Sequence, residues 1–220
     1  MSAPVTAVVF DVGKVLIEWD LRLIYRELIP DAAARDWFVA NVVTPEWHFQ
    51  HDAGRPLAEM LPERIARFPE HEALIRRYAT HFNDSIPGAV PGSQELVHEL
   101  AARGVPIFGI TNFGAEFWPG FRAEWPVFDH FRDVVVSGVA KLAKPDPAIY
   151  ALAERRFGLP GSAMLFVDDN ADNVAAARDC GWHGHPFTDS ARMRADLAGR
   201  RLLGGPQTGP CRSRGLKRGC

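Results

Sequence analysis

The stretch VTAVVFDVGKVL, residues 5–16, decides how the chain is read. Its first half is a short β-branched run that stops at a carboxylate, Asp11. A run of strand length that is apolar at successive positions fits a strand covered on both faces, as in a parallel sheet. Three more such runs follow. VPIFGI ends at Thr111–Asn112, DVVVS at Ser137–Gly138, and AMLFV at Asp168–Asp169. A weaker fifth begins at Trp182, in WHGHPF.

Helical patterns alternate with these runs. SQELVHELAARG has Leu96, Val97 and Leu100 on one side, with Ser93 as its expected cap and Gly104 as its stop. DPAIYALAERRFG opens with Asp146 as cap and Pro147 in the first turn, and closes at Gly158. ADNVAAARDCG stops at Gly181, and SARMRADLAGRRLL supplies a last helix. Strand and helix in alternation predict an α/β fold: a Rossmann-like parallel sheet flanked by helices.

One segment breaks the rhythm. Between Leu21 and Pro87 no buried strand is legible, while DAAARDWFVANVV, PLAEMLPERIARF and HEALIRRYATHF read as amphipathic helices. This predicts a small helical cap inserted after the first strand. Its return hinge is IPGAVPG, residues 86–92. The expected division is a core of residues 1–18 and 88–203, a cap of residues 19–87, and a disordered tail of residues 204–220 rich in Gly, Pro and Arg.

Composition narrows the function. Of 220 residues, 47% are hydrophobic and 24% charged, with a net charge of −2, so a folded core is affordable and no basic field points to nucleic acid or an anionic membrane. The three cysteines form no CxxC pair, which disfavours a disulfide framework or structural zinc. No apolar run reaches the length of a membrane span, and the N-terminal residues lack the pattern of a secretory signal. The expectation is a cytoplasmic protein, monomer or homodimer, that binds neither nucleic acid nor membrane.

The polar residues that end the apolar runs belong together. In an open parallel sheet the carboxyl ends of the strands share one edge, where ligands bind. Asp11, Thr111–Asn112, Lys144 and Asp168–Asp169 therefore converge on one crevice. Such a set suits a phosphoryl group with a divalent cation. Asp11 attacks phosphorus and forms an aspartyl-phosphate. Asp169, supported by Asp168, holds Mg²⁺, a hard cation that prefers oxygen. Lys144, Thr111 and the amide of Asn112 face the phosphoryl oxygens as charge builds. Gly13–Lys14 is not a nucleotide-binding P-loop, since the upstream glycine and the following Ser or Thr are missing.

In this order FDVGKVL, ITN, KPDPAIY and FVDDNADN resemble the four motifs of the haloacid dehalogenase superfamily. FDVGKVLIEWD, AEFWP and VDDNADN resemble the branch that holds bacterial glucose-1-phosphate phosphatase and the N-terminal phosphatase domain of epoxide hydrolases. The resemblance implies a Mg²⁺-dependent phosphatase of a small phosphorylated metabolite, a sugar phosphate being one such. It assigns Asp11 as nucleophile and Lys144, next to Pro145, as partner charge, with Lys141 left to solvent. It assigns Asp11, the carbonyl of Gly13, Asp168 and Asp169 to the metal, and places Asn173 where many relatives have another acid.

Gly13 departs from the pattern, because most phosphatases of this superfamily carry a second aspartate there as general acid and base. Without it, esters with poor leaving groups should suffer, and aryl and anomeric phosphates should be preferred. A water, or a cap residue such as His48 or His51, is the substitute donor to consider. A 2-haloacid dehalogenase, whose aspartate attacks carbon without metal, tolerates glycine here and is the alternative reading. A weakly active or non-catalytic member used for binding is another.

Overall fold

The computed structural model describes residues 4–204. Five strands, β1 (Ala7–Phe10), β2 (Ile107–Thr111), β3 (Asp133–Val136), β4 (Met164–Asp168) and β5 (His183–Pro186), form one parallel sheet in the order β3-β2-β1-β4-β5. The most apolar strands are central. β1 lies between β2 and β4, with Phe10 opposite Gly109 on one side and Val167 on the other. Side chains alternate across the sheet, so Val8 and Phe10 enter one core layer while Ala7 and Val9 enter the other. The fifth run is an edge strand, as is β3 on the other side, and its partly exposed residues explain its weak signal.

Three core helices match their sequence patterns. In α8 (Pro147–Phe157) the Asp146 side chain accepts from Ala148 N at 2.8 Å, and Gly158 ends the helix at φ +68°. The left-handed turn there is the conformation glycine adopts without a steric penalty. α9 (Ala171–Asp179) and α10 (Ser190–Gly199) follow β4 and β5. α5 (Ser93–Ala102) corrects one expectation. Gly92, not Ser93, is its cap residue; the Ser93 hydroxyl donates instead to Val90 O at 2.9 Å, inside the buried junction with the first strand's loop.

Between β1 and α5 lie α1 (Ala32–Asn41), α2 (Pro45–Asp52), α3 (Leu57–Arg67) and α4 (Glu72–Thr80). α2 carries no apolar periodicity, and its signal is local: Thr44 Oγ1 accepts from Trp47 N at 3.2 Å, with Pro45 in the first turn. Two short helices, α6 (Trp118–Glu124) and α7 (Ser137–Ala140), sit beside the sheet. Phe117, Trp118 and Phe121 pack into the core here, as the start of a packed helix should. No helix among the described residues is long and apolar enough to cross a membrane. Most of the predicted tail, residues 205–220, lies outside the described residues.

Candidate active site

The site is built where strands end. Asp11 follows β1 directly, and its N–H still donates to Val167 O at 2.8 Å, so the ladder fixes its backbone. Asp168 is the last residue of β4. Lys144 comes from the loop between α7 and α8, which Asn112 clamps. The Asn112 amide donates to Lys144 O at 3.0 Å, and its Oδ1 accepts from Lys144 N at 2.9 Å. The side chain of Asn112 is thus committed to placing the lysine. Lys141 is exposed.

Lys144 is buried to 2% exposure between the two acids. Its Nζ lies 2.8 Å from Asp11 Oδ1 and 2.7 Å from Asp168 Oδ2. Burial opposes its charge, but the two carboxylates outweigh it and the lysine pKa rises. Asp168 has no oxygen to spare. Oδ1 accepts from Asn170 N at 2.8 Å, and the Asn173 amide lies 3.1 Å from both oxygens. Asn173 therefore supports Asp168 where an acid would add charge.

Asp169 is different, exposed toward the cleft while Asp168 is buried. Asp11, Asp168 and Asp169 offer oxygens that all lie within 4.8 Å of one another. Burial raises the Asp11 pKa to about 7, with Asp168 adding to the rise against the pull of Lys144. Burial and Asp168 also raise that of Asp169. Three acids around one buried ammonium make an oxygen-rich site whose raised pKa values show that it lacks positive charge, which suits a hard divalent cation. Since Asp168 is saturated, the free donors are Asp11, Asp169 and the backbone at Gly13. Lys14 N donates to Ile17 O, and Ile17 N donates to Val12 O. These bonds flank Gly13 and leave its own carbonyl out of the turn.

A cleft of about 370 Å³ opens over this edge. Asp11, Asn112, Lys144 and Asp169 line its floor, while Trp19, Phe49, Phe82 and Phe113 supply aromatic walls. Thr111, buried to 1% exposure at the end of β2, does not line it. The cap adds residues that the sequence patterns did not mark, Asp52 and Phe82, together with His48. Lys14 also lines the cleft, its Nζ 5.9 Å from the Trp19 ring. His51 does not line it. It is 1% exposed beneath Gly114, where an added Cβ would fall 2.1 Å from its ring, and burial lowers its pKa. Asp20 pairs with Arg22 at 2.8 Å and caps a turn, away from the cleft.

A strand-end nucleophile candidate, a buried lysine and an acidic cluster share one edge of a parallel sheet, beneath the helices that lie between β1 and α5. The family model for haloacid dehalogenase-like hydrolases matches residues 5–181, and the chain belongs to that family. A sesquiterpene phosphatase of Aspergillus oryzae is 27% identical over 213 residues, covering 93% of this chain and all of that one. A phosphoglycolate phosphatase of Pseudomonas fluorescens is 28% identical over 149 residues, 62% of this chain and 55% of that one. Among solved structures, the magnesium complex of a haloacid dehalogenase-family enzyme from Bacteroides thetaiotaomicron shares the fold. Its TM-score is 0.66 at 18% identity, over 85% of this chain and 95% of that one. The protein is a hydrolase of the haloacid dehalogenase superfamily with phosphatase relatives.

Proposed function

We propose that the protein is a Mg²⁺-dependent phosphatase that hydrolyses a small phosphorylated metabolite through an aspartyl-phosphate. The observation that carries this reading is the buried Lys144 bridging Asp11 and Asp168, with Asp169 free beside them. Asp11, Asp169 and the carbonyl of Gly13 would hold the ion, which supplies positive charge against the phosphoryl oxygens. Lys144 keeps Asp11 in place, and the Asp11 oxygen not held by the lysine attacks phosphorus. The leaving oxygen departs toward the cap side of the cleft. Water then attacks the acyl-phosphate and releases inorganic phosphate. The aromatic walls favour a substrate body with an apolar face, such as a sugar ring face, an aryl group or a prenyl chain.

The dehalogenase alternative fits Gly13 but not the charge. An anionic 2-haloacid would face three carboxylates within 4.8 Å with one buried ammonium to offset them. The test is a panel of aryl, sugar and prenyl phosphates with Mg²⁺ and with chelator, run beside halide release from 2-haloacids. Metal-dependent phosphate release is expected; halide release without any phosphate release would overturn the reading.

A further inference from the structure

The helices between β1 and α5 hold a buried polar chain. Tyr78 Oη on α4 lies 2.7 Å from His48 Nδ1 on α2, and His48 Nε2 lies 3.1 Å from Asp52 Oδ2. All three are buried, while Asp52 Oδ1 has no hydrogen-bond partner among the described residues. A buried oxygen left unpaired costs free energy unless something outside the chain completes it. His48 and Asp52 line the same cleft as Asp11.

The geometry is held from several sides. The His48 ring stacks between Trp19 at 5.2 Å and Phe82 at 5.6 Å. The Asp52 carbonyl accepts from Ser137 Oγ at 2.5 Å, and Ser137 Oγ accepts from Phe113 N at 2.9 Å. The end of α2 is thereby tied to the loop that follows β2. Burial raises the Tyr78 pKa well above the ordinary phenol value, so its O–H remains to donate to His48 Nδ1. With Tyr78 Oη on Nδ1, the other ring nitrogen, Nε2, faces Asp52.

We propose that Asp52 is the general acid and base that position 13 does not supply, with His48 and Tyr78 as its positioning residues. This rests on the phosphatase reading. In the first step the Asp11 carboxylate forms a bond to phosphorus, the phosphorus–oxygen bond to the leaving group breaks, and that oxygen takes the proton of the Asp52 carboxyl. In the second, Asp52 takes a proton from water as water bonds to phosphorus and the acyl-phosphate bond to Asp11 breaks. Asp11 is returned as carboxylate and Asp52 in its protonated form.

Leaving-group dependence tests it. The wild type, Asp52→Asn, Gly13→Asp and the double variant are assayed with Mg²⁺ on an aryl phosphate and on a primary alkyl phosphate. Asp52→Asn should lose on the order of 10²-fold or more in kcat on the alkyl ester and less than about tenfold on the aryl ester. Adding Gly13→Asp should restore much of the alkyl rate. His48→Gln, which keeps an N–H near Nε2, should lose less than His48→Ala, and Tyr78→Phe, which keeps the ring packing, should shift the same ratio weakly. Equal loss on both esters, or no loss, would overturn the role of Asp52. A wild type that hydrolyses neither ester would instead overturn the phosphatase reading, and this proposal with it.

Discussion

The strand edge and the buried face of the cap treat polar groups in opposite ways. At the edge, Lys144 serves two carboxylates and every oxygen of Asp168 is bonded. In the cap, Asp52 Oδ1 and both His51 ring nitrogens are buried without a hydrogen-bond partner among the described residues. The edge is complete in itself except for the charge it lacks, whereas the cap contains groups that wait for a partner. On the proposed mechanism the contrast corresponds to two tasks: the edge would hold the charged reacting group, and the cap would meet what departs from it.

The largest effect should come from the edge. Asp11→Asn keeps the shape and one bond toward Lys144 but removes the attacking charge, so turnover on any phosphate ester should fall by about 10³-fold or more while the fold melts cooperatively. Near-normal turnover would favour direct attack by water and erase the division between edge and cap.

Lys144→Met should be the costliest change to stability. It leaves Asp11 and Asp168 buried without their shared cation, and the Asp11 carboxyl takes up a proton to avoid a bare charge, a loss of roughly 3–5 kcal/mol at neutral pH by denaturant titration. The loss should shrink in acid, where Asp11 is protonated. A variant of wild-type stability at pH 7 would mean that the lysine is not what holds the acids together.

A smaller effect concerns the charge the edge lacks. Burial lifts Asp11 from 3.8 to about 7, so between these values the folded chain binds more protons than the unfolded one. Its contribution to stability is therefore present at low pH and lost as pH rises toward 7. In chelator the melting temperature should fall over that window, and Mg²⁺ should flatten the slope, adding about 2.7 kcal/mol at a hundredfold excess over its Kd. Asp169→Asn should abolish the Mg²⁺ gain more completely than Asp168→Asn, whose cost falls on stability. A metal response unchanged by Asp169→Asn would remove Asp169 from the metal site, and no response to Mg²⁺ in the wild type would return the site to the metal-free alternative.

The same contrast explains what was legible. Asp11, Thr111–Asn112 and Asp168–Asp169 stand where apolar runs stop, and a parallel sheet brings strand ends to one edge, so the fold and, through Asp11, Asn112 and Asp169, most of the floor of the cleft follow from the order of the runs. The allotment of roles within that floor was less visible, because only side-chain geometry shows that Asn112 clamps a loop and that Asp168 is saturated. The cap polar chain was hidden further. His48 and Asp52 share a helix whose apolar pattern is weak, and Tyr78 joins them from another helix through packing alone. Ser93 misled for a local reason, since a hydroxyl beside a helix start can bond backward as readily as it can cap.

The smallest effect is expected at Gly13, and it bears most directly on the comparison. Read alone, glycine at this position predicts a steep preference for aryl and anomeric phosphates. The structure removes the steric reasons for glycine: an added Cβ would meet nothing within 4 Å, and the backbone there is not left-handed. Gly13→Asp should accordingly change stability by no more than ~1 kcal/mol when Mg²⁺ offsets the added charge. If the cap already moves the proton, the single variant should alter the ratio of aryl to alkyl rates by less than about tenfold, because a second donor adds little where the first is in place. The same substitution in the Asp52→Asn background should alter that ratio far more. Equal responses in both backgrounds would show that position 13 and Asp52 act independently, and the division of labour between edge and cap would then fail at the proton.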